Sequence, residues 1–179
     1  MKIRILVISL FAVLLPAVAT FAQEVSIEPI LTENCKQAQS YLNITLKKRD
    51  LHARVDRLQA YRYIYQRLDS FVNRLEKNNQ PGAQDLRTDL SVLNTKIENF
   101  KNDYETYDAS RDLVANMTQC LSKKSEFEKN IIVMQANRAA VNTDVSSIRV
   151  LLEDTIKGRL DTLYQQYLET GTTGDGLNE

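Results

Sequence analysis

Between Pro29 and Asn78 neither glycine nor proline interrupts the chain, and 179 residues carry only five Gly and three Pro. A sheet needs turn residues about every 8–12 positions, so sandwich, barrel and α/β folds cannot be drawn on this sequence. Long helices are what remains. Within the first uninterrupted stretch Leu51, Leu58, Tyr61, Tyr65, Leu68, Val72 and Leu75 recur in steps of three and four. Arg54 takes the one polar step of that heptad seam, and Ile64 and Phe71 widen its apolar side. Thr32 is an N-cap candidate, with Cys35 and Leu42 in a slightly different phase.

Asn78-Asn79-Gln80-Pro81-Gly82 reads as a turn, after which Leu86, Leu90, Leu93, Ile97, Phe100, Tyr104 and Tyr107 repeat without exception. The same phase continues through Arg111, Val114, Thr118 and Leu121. A third helix is expected from Ser125, where Ser125 and Glu128 have capping-box spacing. Its seam runs through Phe127, Ile131, Met134, Arg138, Val141, Val145, Ile148, Leu152, Ile156, Leu160, Leu163 and Tyr167. Two steps of four after Leu152 mark a stutter, with Gly158 nearby. The expected architecture is all-α, a long up-down-up antiparallel three-helix coiled-coil bundle over 32–170. Its helices fall at about 32–78, 83–121 and 125–170, with a Gly/Thr/Asp-rich disordered tail at 171–179.

The first 22 residues read as an address. Lys2 and Arg4 precede an apolar run from Ile5 to Leu15, and Pro16 leads into small residues. That run is shorter than the ~20 residues a bilayer span needs and has the tripartite form of a cleavable secretory signal. Cleavage after Ala19 or after Ala22 fits, and an uncleaved anchor is the alternative. Residues 23–31 form an N-terminal extension. No stable membrane span is expected once the signal is removed, and the protein is placed outside the cytoplasm, whether secreted, periplasmic or at the cell surface.

The whole chain is electrically balanced, with 23 Lys+Arg and 23 Asp+Glu, so it lacks the basic footprint of a nucleic-acid binder. Locally the charge is uneven. Residues 32–80 hold ten basic and five acidic side chains, whereas residues 83–121 hold four and seven. Two helices folded back at Pro81 would be complementary in charge, which selects register. The same fold-back carries Cys35 and Cys120 to one end of the hairpin, where an oxidising compartment favours a disulfide. A free reactive thiol pair is the alternative, although no redox spacing is present.

Arginine on an apolar seam is the anomaly with the most information. Arg54, Arg111 and Arg138 each occupy a seam step, and folding brings them to one level with Arg49, Asp50, His52, Asp108 and Asp112. Buried arginines require partners. Either these eight residues form a charged layer that fixes helix register, or they line a polar pocket for a small anion. No nucleophile, phosphate loop or metal-ligand spacing accompanies them, so no catalytic residue, metal or cofactor is assigned. Tyr61-Arg62-Tyr63-Ile64-Tyr65 adds a candidate interface of Arg62, Tyr63 and Arg67, because Tyr63 lies off the seam. Asn43-Ile44-Thr45 and Asn116-Met117-Thr118 are glycosylation sequons by pattern, and chance matches on helices by context.

An early Cys, Arg49-Asp50-Leu51 with Arg54, Tyr61, Phe71 and Asn73, then Phe100, Tyr104, Tyr107-Asp108, and a second Cys before a Phe127-led helix form a pattern. It resembles uncharacterised secreted helical proteins of candidate-phyla bacteria of the Saccharibacteria type, over most of the mature chain. The resemblance implies three helices and carries no activity, substrate or partner. Leu121-Ser122-Lys123-Lys124-Ser125 departs from it by lacking a proline at the second turn. The functional expectation is a non-enzymatic structural or interaction protein of the cell envelope, a docking rod or spacer, with an unknown protein partner or self-association; Ile64, Phe71, Ile132 and Leu151 either broaden the internal core or make a second face for another copy. An extracytoplasmic holdase chaperone and a small-anion binder are the alternatives.

Overall fold

The computed structural model describes residues 35–172; the signal, extension, Thr32 cap and all but the start of the tail assigned above lie outside them. The described chain is helical, with no strand among its residues, and its long helices pack together. Helix α1 (Cys35–Ser40) passes through a π-helical turn, Tyr41–Leu46, into α2 (Lys47–Lys77). Helix α3 (Ala83–Ala115) returns antiparallel to it. Helix α4 (Lys124–Val150), a second π-helical turn at Leu151–Ile156 and α5 (Lys157–Thr172) form the third limb. Pairs such as Asp50–Tyr107, Arg54–Glu105 and Asp69–Arg87 stand at matching distances on either side of the Pro81 turn.

Two compact units divide the described residues. One comprises 63–95 and 147–172, and the other 35–62 and 96–146. The first unit has an aliphatic core that includes Leu68, Val72, Leu86, Leu90, Leu93 and Ile148. Its turn closes α2 with a Schellman arrangement: Asn79 takes φ 48°, and the Gln80 N–H reaches back to the Leu75 carbonyl at 2.9 Å. Gly82 follows at φ 76°, where an added Cβ would lie 2.9 Å from Leu163. Arg87 fastens the register by reaching Asp69, Asn73 and Glu76. Arg159 does the same for the third limb through Asp85 and Asp89.

Several expected positions shift, each for a physical reason. Helix α3 ends at Ala115 rather than near residue 121, and Leu121 is 71% exposed instead of on the seam. No proline or glycine forces that stop. Side chains of the first limb satisfy the terminal carbonyls, and Gln119 turns the chain at φ 59°. Helix α4 begins at Lys124, so Ser125 falls inside its first turn, and α5 continues through Thr172 into the expected tail. The stutter after Leu152 is the second π-helical turn, in which Leu151, rather than Leu152, is the buried residue. Phe71 and Leu151 join the core and Ile64 is half-buried, whereas Ile132 faces outward.

Candidate functional site

The polar layer belongs to the second unit and begins with the π-helical turn. A π turn adds a residue to the helix, which changes the phase of everything before it. Inward positions therefore run Cys35, Ala38, Leu42, Leu46 and Asp50, all buried. Leu51, expected on the seam, is 49% exposed, and its neighbour Asp50 is the side chain that enters the core at 8% exposure. The extra residue also turns Cys35 toward Cys120, and the two are joined by a disulfide with their Cα atoms 6.1 Å apart.

Beside that bond the first limb caps the end of α3. The Gln39 side-chain amide donates to the carbonyls of Val114 (3.2 Å) and Met117 (2.8 Å), and Asn43 donates to that of Ala115 (3.2 Å). Carbonyls at a helix end lack their intrahelical partners, and these side chains supply donors there, at Val114 beside the Met117 N–H. Sequon residue Asn43 thus has a structural task.

Arg111 lies at the centre, 1% exposed, with its guanidinium 2.6 Å from Asp108 and 3.0 Å from Asp112. Asp112 also accepts from Lys47 at 3.3 Å. Asp50 accepts the Tyr107 hydroxyl at 2.5 Å and faces Arg138 and Arg49 at 3.7 and 3.6 Å. Arg54 joins Glu105 at 3.1 Å and Asp108 at 3.7 Å, and lies 5.1 Å over the Tyr104 ring. Arg54 and Arg111, from two limbs, share Asp108, whereas Arg138 of the third limb meets Asp50; the two groups adjoin at Tyr107, whose ring lies 5.9 Å from the Arg111 guanidinium. Of the expected layer, Asp50, Arg54, Asp108, Arg111, Asp112 and Arg138 come together, Arg49 touches it from an exposed position, and His52 points to solvent.

Tyr104 and Tyr107 lie on the expected apolar seam, yet they are part of this layer. Their hydroxyls, one and two turns before Arg111 on that seam, are the signal in the sequence. Burial pushes the Tyr107 hydroxyl far above its usual range, reinforced by the charge of Asp50 and the hydrogen bond to it. Burial does the same to Tyr104, with the charges of Asp50 and Asp108 adding to it. Burial opposes the charge on Arg111, but the hydrogen bond to Asp112 and the charges of Asp108 and Asp112 outweigh it and hold its proton more firmly. Asp112 is likewise desolvated, and its bonds from Arg111 and Lys47 still keep its carboxyl below the ordinary range.

Chemically the layer neutralises itself. Among the described residues the Tyr104 hydroxyl and Arg111 Nε have no hydrogen-bond partner, but both belong to buried side chains. No group of three or more His, Cys, Asp and Glu there is arranged to hold a metal ion, and no described helix is long and apolar enough to cross a membrane. In the other unit, Tyr63 and Arg67 engage each other, with Arg67 Nε donating to the Tyr63 hydroxyl at 3.0 Å and its guanidinium 5.2 Å from the ring centre. Arg62, exposed, belongs to the second unit. No family model, curated protein or solved structure matches the chain.

Proposed function

We propose that this is a non-enzymatic docking protein of the cell envelope, delivered by its N-terminal signal and held together by the Cys35–Cys120 disulfide. The observation that carries this reading is an inversion within the second unit. Arg111 and Asp50 are turned inward and paired, while Ile44, Leu51, Val55, Leu113, Leu121, Ile132 and Val133 stand exposed. Arg111, at the centre of the layer, is 1% exposed and already paired with Asp108 and Asp112, which favours a structural layer over an anion site. Exposed aliphatic residues instead favour contact with another macromolecule. The disulfide is compatible with a compartment outside the cytoplasm.

The test uses the full chain expressed with its leader in a bacterium. The expected result is a processed, disulfide-bonded protein in an extracytoplasmic fraction that forms a discrete amine-crosslinked adduct with another protein. Purified protein should leave the aggregation of a thermally unfolded client enzyme unchanged. Suppression of aggregation near equimolar ratio would replace docking with the holdase reading, and absence of any adduct would remove docking.

A further inference from the structure

The residue that the π-helical turn rotates out of the core has a consequence on the surface. Beginning in that turn, Ile44, Lys48, Leu51, Val55, Leu58 and Arg62 follow one another in alternating steps of four and three. Such spacing keeps side chains on one stripe of a helix and is the geometry by which a second helix packs. This is not the core seam. Ile44, Leu51 and Val55 are 68%, 49% and 42% exposed, and only Leu58 is half-buried at the edge. The inward side of the same helix is occupied by Leu46 and Asp50.

Charge says what fits. The stripe carries Lys48 and Arg62, with exposed Arg49 and His52 beside it, against one exposed carboxylate, Asp56. Lys47 and Arg54, along its edge, are engaged with Asp112 and Glu105 of α3. A second copy offering the same stripe would bring like charges together, which is unfavourable. A lipid surface selects aromatic anchors as well as basic ones, and the apolar members here are all aliphatic. We infer that the Ile44–Arg62 stripe docks an acidic amphipathic helix of a protein partner, its apolar residues on Ile44, Leu51 and Val55 and its carboxylates toward Lys48 and Arg62. At 1.5 Å per residue the seam is about 28 Å long, enough for roughly five turns of such a helix.

The inference rests on the docking reading and is separable from it. The probe is a synthetic 21-residue helix with Leu at the a and d positions and Glu at e and g, titrated into the full oxidised chain and followed by fluorescence anisotropy and amide chemical shifts. A matched peptide with Lys at e and g, and phosphatidylglycerol vesicles, are titrated in parallel. Expected are shifts confined to 44–62, at least tenfold preference for the Glu peptide, and at least tenfold weakening in Leu51→Glu/Val55→Glu. Val92→Glu, an exposed position in the other unit, should bind as wild type. Circular dichroism confirms that each variant is folded. Equal binding of both peptides, unchanged binding by the double variant, preference for the vesicles, or dimerisation lost in the double variant would each overturn the inference. If the envelope adduct survives Leu51→Glu/Val55→Glu, docking stands and this seam is not its site.

Discussion

The two units share one helical pattern, yet they place arginine differently. In the unit of 63–95 and 147–172 the inside is apolar apart from Asp89, and Arg87 and Arg159 form their ion pairs from the rim. In the unit of 35–62 and 96–146 an arginine and an aspartate are buried among tyrosines, and aliphatic residues are left outside. Hydrophobic packing needs no exact partner, whereas Arg111 must meet Asp108 and Asp112 or lose several kcal/mol. Register is therefore set from the rim by Arg87 and Arg159 in the first unit and from the inside by Arg111 in the second.

That contrast can be broken most directly at Arg111. Arg111→Ala should cost about 3–5 kcal/mol in urea unfolding, because it empties the centre of the layer and leaves Asp108 and Asp112 only their longer contacts to Arg54 and Lys47. Arg111→Met, which refills the volume without charge, should recover most of that loss. Equal losses for both would mean the charge itself is needed. Wild-type stability for Arg111→Ala would show the layer contributes nothing.

The disulfide comes next. Cys35→Ser/Cys120→Ser should lower stability by about 2–5 kcal/mol while the circular dichroism remains helical. Deleting Thr45 should remove the π-helical turn, rotate Cys35 by about 100° and leave two titratable thiols per chain. A fully oxidised deletion variant would show that the turn does not aim Cys35.

Alkaline pH sharpens the comparison without mutation. Tyr61, Tyr104 and Tyr107, all in the second unit, have hydroxyls raised above the ordinary 10.0 chiefly by burial. A raised folded value gives stability that is complete below the unfolded value and lost as pH climbs past it. Stability should therefore fall above about pH 10, with these tyrosines ionising together with unfolding when followed by tyrosinate absorbance. Ionisation near pH 10 in the folded chain would place them in solvent. The smallest effect is expected in the first unit, where Arg87→Ala removes a partly exposed network and should cost about 1 kcal/mol or less in the same urea assay.

The three helices, the Pro81 turn, the cysteine pair and the sharing of Asp108 by Arg54 and Arg111 are legible in the sequence, because each follows from spacing or turn composition. The phase of the first helix was not. Leu51 and Leu58 continue a clean heptad with Tyr61 and Tyr65, so hydrophobicity alone chooses Leu51 over Asp50 for the inside. The slightly different phase of Cys35 and Leu42 was the sign of the π-helical turn, and the steps after Leu152 were the sign of the second. Where α3 ends could not be read locally, since Gln39 and Asn43 cap it from far along the chain. His52 was grouped with the layer by level alone, and level does not say which way a side chain faces.

The most direct test of the proposed docking function is site-specific photocrosslinking in the cells that make the protein, with the crosslinker at Val55 in one strain and at Val150 in another. Both positions are exposed, one in each unit. A protein adduct from Val55 and none from Val150 is the predicted result. Adducts of equal yield from both, or from Val150 alone, would contradict docking through the second unit.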